Sequence, residues 1–177
     1  MNIHYTETDI LAVLQQYAGD TGIRSLKKVE EDYTHVAERL SAEAMTTGLS
    51  EAFRSENTPA FAETVSQSYE RGDAGQRADI LTRLIDGTST FAGRPVQDAG
   101  MFEQSEIAYD TSNVATDPNT TEQCRPELVE HIACQVEQED DETVDKMSGY
   151  YAGNPTVAKT LGGAMLGTVL RNIAETR

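Results

Sequence analysis

The residues best suited to bind a metal ion are clustered on one short predicted helix. They are Glu31, Asp32, His35 and Glu38. Asp-x-x-His on a helix resembles half of a carboxylate-bridged di-iron site, whose ligands must project into the core of a helical bundle. The apolar positions Tyr33 and Val36 instead predict that Glu31, His35 and Glu38 lie on the opposite, solvated face. We therefore expect no metal and no cofactor, with a metal-binding helical-bundle enzyme as the alternative.

Other chemistry-bearing residues do not form a recognisable site. Glu127, Glu130 and His131 lack the Glu-x-x-His spacing of di-iron ligands. Residues 137–145 are rich in carboxylates but lack EF-hand spacing and its turn glycine. Acidic residues there suit the start of the next helix, whose dipole favours negative charge. No nucleophile motif or phosphate-binding glycine loop is present, so we expect no catalytic residue.

The two cysteines, Cys124 and Cys134, are too few for a disulfide scaffold and lack zinc-finger partners. We expect reduced thiols, although the sequence leaves a bridge between them open. Cys134 lies opposite the apolar face of its predicted helix, beside Glu130 and Glu137. Those carboxylates would raise a thiol pKa, so a reactive cysteine is not expected.

The charge balance disfavours sequence-independent nucleic-acid binding, and we expect no nucleic-acid partner. Thirty acidic residues against 14 lysines and arginines give a formal charge of -16, which repels phosphate backbones and anionic lipids. Both a salt-adapted source and an ordinary acidic protein fit this balance. No segment has the apolar length of a membrane span or the pattern of a signal peptide, so we expect a cytoplasmic protein and no membrane partner.

Apolar residues recur every three or four positions, which predicts an all-α, multi-helix bundle. Residues 6–87 read as five short helices. Ser25 and Ser41 are predicted to be N-caps. Thr58 is predicted to cap a helix in which Pro59 is the first residue, and Asp73 and Gln76 are predicted to form a capping box. The second helix carries a narrow packing seam, which is formed by Leu26, Val29, Tyr33, Val36 and Leu40.

The helical pattern resumes at Pro126 and again after Asp140. Asn154 with Pro155 predicts the start of a last helix that runs to about Thr176. Along this helix we expect either close packing against another helix or an interaction surface. The residues expected to form that surface are Gly162, Gly163, Gly167 and Met165.

The stretch between the two helical regions has no sustained period and is rich in turn-forming residues. We therefore predict an N-terminal helical lobe over 1–87, an irregular or partly ordered linker over 88–123 and a C-terminal helical lobe over 124–177. The two lobes either stand apart or pack as one domain.

A weak repeat connects the two lobes. Residues 59–65 (PAFAETV) correspond to 155–161 (PTVAKTL), and Leu49 and Phe53 correspond to Met147 and Tyr151. A duplicated helix-helix unit would explain the match, and chance similarity between short helices that start with proline is the alternative.

Two longer stretches carry a family resemblance: residues 48–61 (GLSEAFRSENTPAF) and 145–163 (DKMSGYYAGNPTVAKTLGG). They resemble a group of uncharacterised bacterial helical proteins, itself similar to the YidB-like domain of unknown function. The resemblance covers roughly residues 30–86 and 126–175. It implies a helical fold and a bacterial source, and it carries no catalytic or ligand motif.

Together these features favour a non-enzymatic protein-protein interaction or assembly module. Its partner would be a second copy of the chain or another protein. Besides the metal-binding alternative, a weaker one is peripheral membrane association through the last helix, which the negative charge opposes.

Overall fold

The computed structural model describes residues 7–18, 24–86, 124–140 and 142–176, and the predicted linker 88–123 lies outside these ranges. The described residues form an all-α bundle, as predicted, and contain no strand. The helices are α1 (Glu7–Ala18), α2 (Leu26–Ala37), α3 (Ala42–Phe53), α4 (Phe61–Arg71), α5 (Ala74–Asp86), α6 (Pro126–Glu139), α7 (Thr143–Gly153), α8 (Pro155–Ala158) and α9 (Gly163–Thr176). A 3₁₀ turn, Lys159–Leu161, separates α8 from α9.

Three of the predicted helix starts are confirmed by their capping hydrogen bonds. The side chains of Ser25 and Ser41 accept from the backbone N–H of Lys28 and Ala44, at 3.4 and 3.2 Å. Asp73 and Gln76 form the reciprocal capping box, in which each side-chain oxygen accepts from the other residue's backbone N–H.

Two other predicted starts need correction. Helix α4 begins only at Phe61, and the Thr58 hydroxyl donates to the carbonyls of Ala52 and Ser55 at the end of α3 instead of capping α4. Similarly, Asn154 does not cap α8, because its side chain donates 2.8 Å to the Tyr150 carbonyl of the preceding helix. Both side chains bond carbonyls at or just after the end of the preceding helix, and these bonds compete with the cap geometry.

The predicted single last helix is also wrong, because the chain breaks at Gly162. This residue has φ 89° and ψ 161°, a conformation open essentially only to glycine. The chain therefore leaves the 3₁₀ turn in a new direction before α9 begins.

The helices share one apolar core to which both predicted lobes contribute. Helix α3 packs along α7, α4 along α6, and α9 against α1, α2 and α3. Of the glycines in the last helix, Gly163 closely approaches Leu26 and Gly167 does not, and another close approach lies on α3. A Cβ added to Gly48 would lie 2.6 Å from Cγ1 of Ile173 on α9, so this crossing depends on a glycine.

The spacing of the buried residues is the same in α2 and α6, as expected of any two helices with this amphipathic pattern. The buried residues of α2 are Val29, Asp32, Tyr33 and Val36, and those of α6 are Val129, Ile132, Ala133 and Val136. The equivalent aromatic residues Phe53 and Tyr151 also contact each other, with ring centroids 6.0 Å apart. The duplication itself stays a prediction.

Candidate docking groove

The four candidate metal ligands do not converge on one point. Asp32 is buried, whereas Glu31 and Glu38 are exposed on α2 and beyond its end. Glu31 pairs with Lys27 at 3.9 Å, and Glu38 with Arg39 at 3.8 Å. Within the described ranges, no three histidine, cysteine or acidic side chains are grouped so that they could hold a metal ion.

Asp32 links α1 to α2. Its carboxylate accepts a hydrogen bond of 2.8 Å from the Tyr17 hydroxyl and one of 2.6 Å from Lys28 Nζ. Burial, and then the bond to Asp32, raises the pKa of Tyr17, so this phenol stays a donor. The sequence argument missed this buried carboxylate. Asp32 lies on the helix face that also carries Val29, Tyr33 and Val36. Its position within this apolar stripe was the sequence signal that could have predicted its burial.

Two further polar clusters join helices within the bundle. Arg54, which follows α3, and Ser50 on α3 donate to the Asp145 carboxylate on α7, and these bonds lower the pKa of that carboxyl group. Tyr151 donates 3.0 Å to the Ser68 hydroxyl, deep between α7 and α4. Both clusters connect helices far apart in sequence, and neither contains a histidine or cysteine.

Cys124 and Cys134 are free thiols, so they form no disulfide. Burial raises the pKa of Cys124 to about 11. Cys134 is exposed, as predicted from its position opposite the apolar face of α6. Its sulfur accepts a hydrogen bond of 3.3 Å from Gln138 Nε2.

An open groove of about 680 Å³ lies between α1, α2 and α9. We call it the α9 groove. It is lined by Tyr17, Ala18, Arg24, Leu26, Val29, Gly163, Ala164, Gly167, Thr168, Arg171 and Glu175.

The local sequence explains why the groove is open. Ser25 caps α2 and so places Leu26 at its first position, where the side chain is 53% exposed and does not join the predicted seam. A Cβ on Gly163 would lie 2.9 Å from Cδ1 of Leu26, so glycine lets this leucine rest on α9. One turn later, a Cβ on Gly167 would meet nothing within 4 Å.

Only two of the four predicted interaction residues therefore line the α9 groove. Gly163 and Gly167 are four positions apart and share one helix face. Gly162 lies before the helix against Arg71, and Met165 is only 1% exposed in the core. The broken helix explains the difference, because it sets the rotation of α9 independently of residues 155–161.

Charge in the groove differs from that of the whole chain. Two arginines and one glutamate line it, whereas acidic residues outnumber basic ones about two to one in the sequence. The Arg24 guanidinium lies 4.2 Å from the Tyr17 ring centroid and donates to the Gln16 carbonyl at the end of α1. Arg171 makes no ion pair with any described residue.

The chain matches no family model, and searches of the curated proteins and of the solved structures also find no match. In the described part of the chain, each helix is too short or too polar to span a bilayer.

Proposed function

We propose that this protein is a non-enzymatic interaction module that binds a partner protein in the α9 groove. The observation that carries the proposal is the open helix face at Gly167 beside the exposed side chain of Leu26. A partner seated in the groove would remove the apolar surface of Leu26 from water, and small residues on the adjacent helix let another chain approach closely.

The geometry of the described residues favours binding over catalysis. The metal-binding alternative would need ligands on facing helices, and the four candidates are all on or next to α2, where the three carboxylates pair with separate cations. The membrane-surface alternative would need basic anchors, and α9 carries Arg171 together with Glu175. The YidB-like resemblance and the cytoplasmic location stay predictions.

Obstructing the groove tests the proposal. Gly167→Leu places a bulky side chain in open space, so the fold should tolerate it while the groove is filled. Gly149→Leu is the matched control, because Gly149 is a mid-helix glycine on α7 whose added Cβ also meets nothing within 4 Å.

The measurements are light scattering at low and high concentration, and capture of partners from an extract of the source organism by immobilised protein. We expect the wild type and Gly149→Leu to capture the same partner or to self-associate equally, and Gly167→Leu to lose both. A strict monomer without a partner, or equal capture by all three proteins, would refute the proposal.

A further inference from the structure

Resting on this proposed function, we propose that the segment bound in the α9 groove is an acidic amphipathic helix of a different protein. Two independent features of the groove carry this inference. The first is the shape of the exposed α9 face, and the second is the pair of arginines along it.

The shape favours a helix as the occupant. Gly163, Ala164 and Gly167 present almost no side-chain volume on one face of α9, and the distance between packed helix axes depends on the side chains at the contact. A peptide that binds by β-strand addition would instead need a strand edge to pair with, and the described residues contain no strand. Leu26 supplies the apolar contact at the groove wall.

The arginines determine the charge of the occupant. Arg24 is held against the Tyr17 ring, and Arg171 follows Gly167 by one helical turn on the same face. Guanidinium groups bind carboxylates in a two-bond fork geometry. The two arginines exceed the single glutamate, Glu175, in the groove lining, and charges more than about 10 Å away are largely screened at 0.1 M salt.

A second copy of the chain is a less suitable occupant. Each copy carries a formal charge of -16, so two whole molecules repel each other, whereas one acidic segment need not bring such a charge with it. Self-association is therefore an outcome that the test must separate.

The probe is a stapled helical peptide of about 15 residues, long enough to span α9, with a leucine and alanine stripe flanked by glutamates. A matched peptide has lysines in place of the glutamates. Binding is measured by fluorescence anisotropy on the full chain. We expect the acidic peptide to bind the wild type, and its Kd to rise at least about tenfold with Arg171→Glu.

Three controls accompany this measurement. Arg125→Glu reverses an exposed charge outside the groove and should leave the Kd unchanged, as should Gly149→Leu. Gly167→Leu should abolish binding. Raising the salt on the wild type should weaken binding, which tests the charge contribution even if a reversed-charge variant folds poorly.

The two proposals fail in different ways. If the lysine peptide binds equally well and Gly167→Leu still blocks it, the groove is a docking site and the acidic partner is wrong. If neither peptide binds, or the chain only self-associates through the groove, the inference is overturned. The capture experiment then decides the proposed function separately.

Discussion

Replacing Gly162 by alanine tests whether the break before α9 requires glycine. The observed φ of 89° and ψ of 161° cost a residue with a Cβ about 1 to 3 kcal/mol. The new Cβ would also lie 2.8 Å from Nη1 of Arg71, which donates 3.0 Å to the Thr160 carbonyl. Displacing this exposed guanidinium adds at most about 1 kcal/mol. We therefore expect Gly162→Ala to lower the free energy of unfolding by about 1 to 4 kcal/mol.

Gly149→Ala provides the matched comparison. This glycine lies inside α7, is exposed, and has open space at its Cβ position. Alanine should therefore stabilise the protein by about 1 kcal/mol through its higher helix propensity. Alanine at the two positions should thus act with opposite sign.

Urea unfolding followed by far-UV circular dichroism measures both variants, with the free energy obtained by linear extrapolation. Equal stability of Gly162→Ala and the wild type would refute the reasoning. So would a gain in helix signal together with a gain in stability, because a continuous last helix would then be the better description.

Three other measurements test separate parts of the structure. The Tyr33 hydroxyl is buried without a hydrogen-bond partner among the described residues, so Tyr33→Phe should leave the free energy of unfolding unchanged or raise it. Tyr151→Phe removes the hydrogen bond to Ser68 and should lower the free energy of unfolding in urea by about 1 kcal/mol. The reverse order of the two variants would contradict this. The Asp145 carboxyl pKa lies below its ordinary value of 3.8, so its ion pair contributes above that pH and is lost as the pH falls through the lowered pKa. The Asp145 side chain is half-exposed, so Asp145→Asn should lower the free energy of unfolding by up to about 1 kcal/mol at pH 7. The loss should become progressively smaller below pH 3.8. A loss that grows in acid would contradict this expectation. A thiol reagent should label Cys134 quickly in the native protein and Cys124 only after unfolding, because the Cys124 side chain is buried and burial raises its pKa to about 11. Rapid labelling of both would show that Cys124 is accessible.

The helical class and several helix ends were predictable because they depend on neighbouring residues. Apolar spacing of three or four positions predicts an amphipathic helix wherever it occurs. Ser25, Ser41 and the Asp73–Gln76 pair act on N–H groups within three positions of themselves. The exposed position of Cys134 followed from the same periodicity.

The errors arose where a side chain had a choice of partners. Thr58 could cap the next helix or bond back to α3, and the structure shows the second. The last helix was predicted as continuous because glycine has low helix propensity without being forbidden, and a weak local preference does not show where a turn occurs.

Sequence alone therefore determined that this chain forms short amphipathic helices and lacks a recognisable catalytic motif. Tertiary structure decided which helices meet, that Asp32 is buried beneath Tyr17, and that Gly167 faces open space while Gly48 faces Ile173. The physical reason is the range of the interactions. Periodicity and caps act within one or two turns, whereas burial at a given glycine depends on the position of another helix more than a hundred residues away.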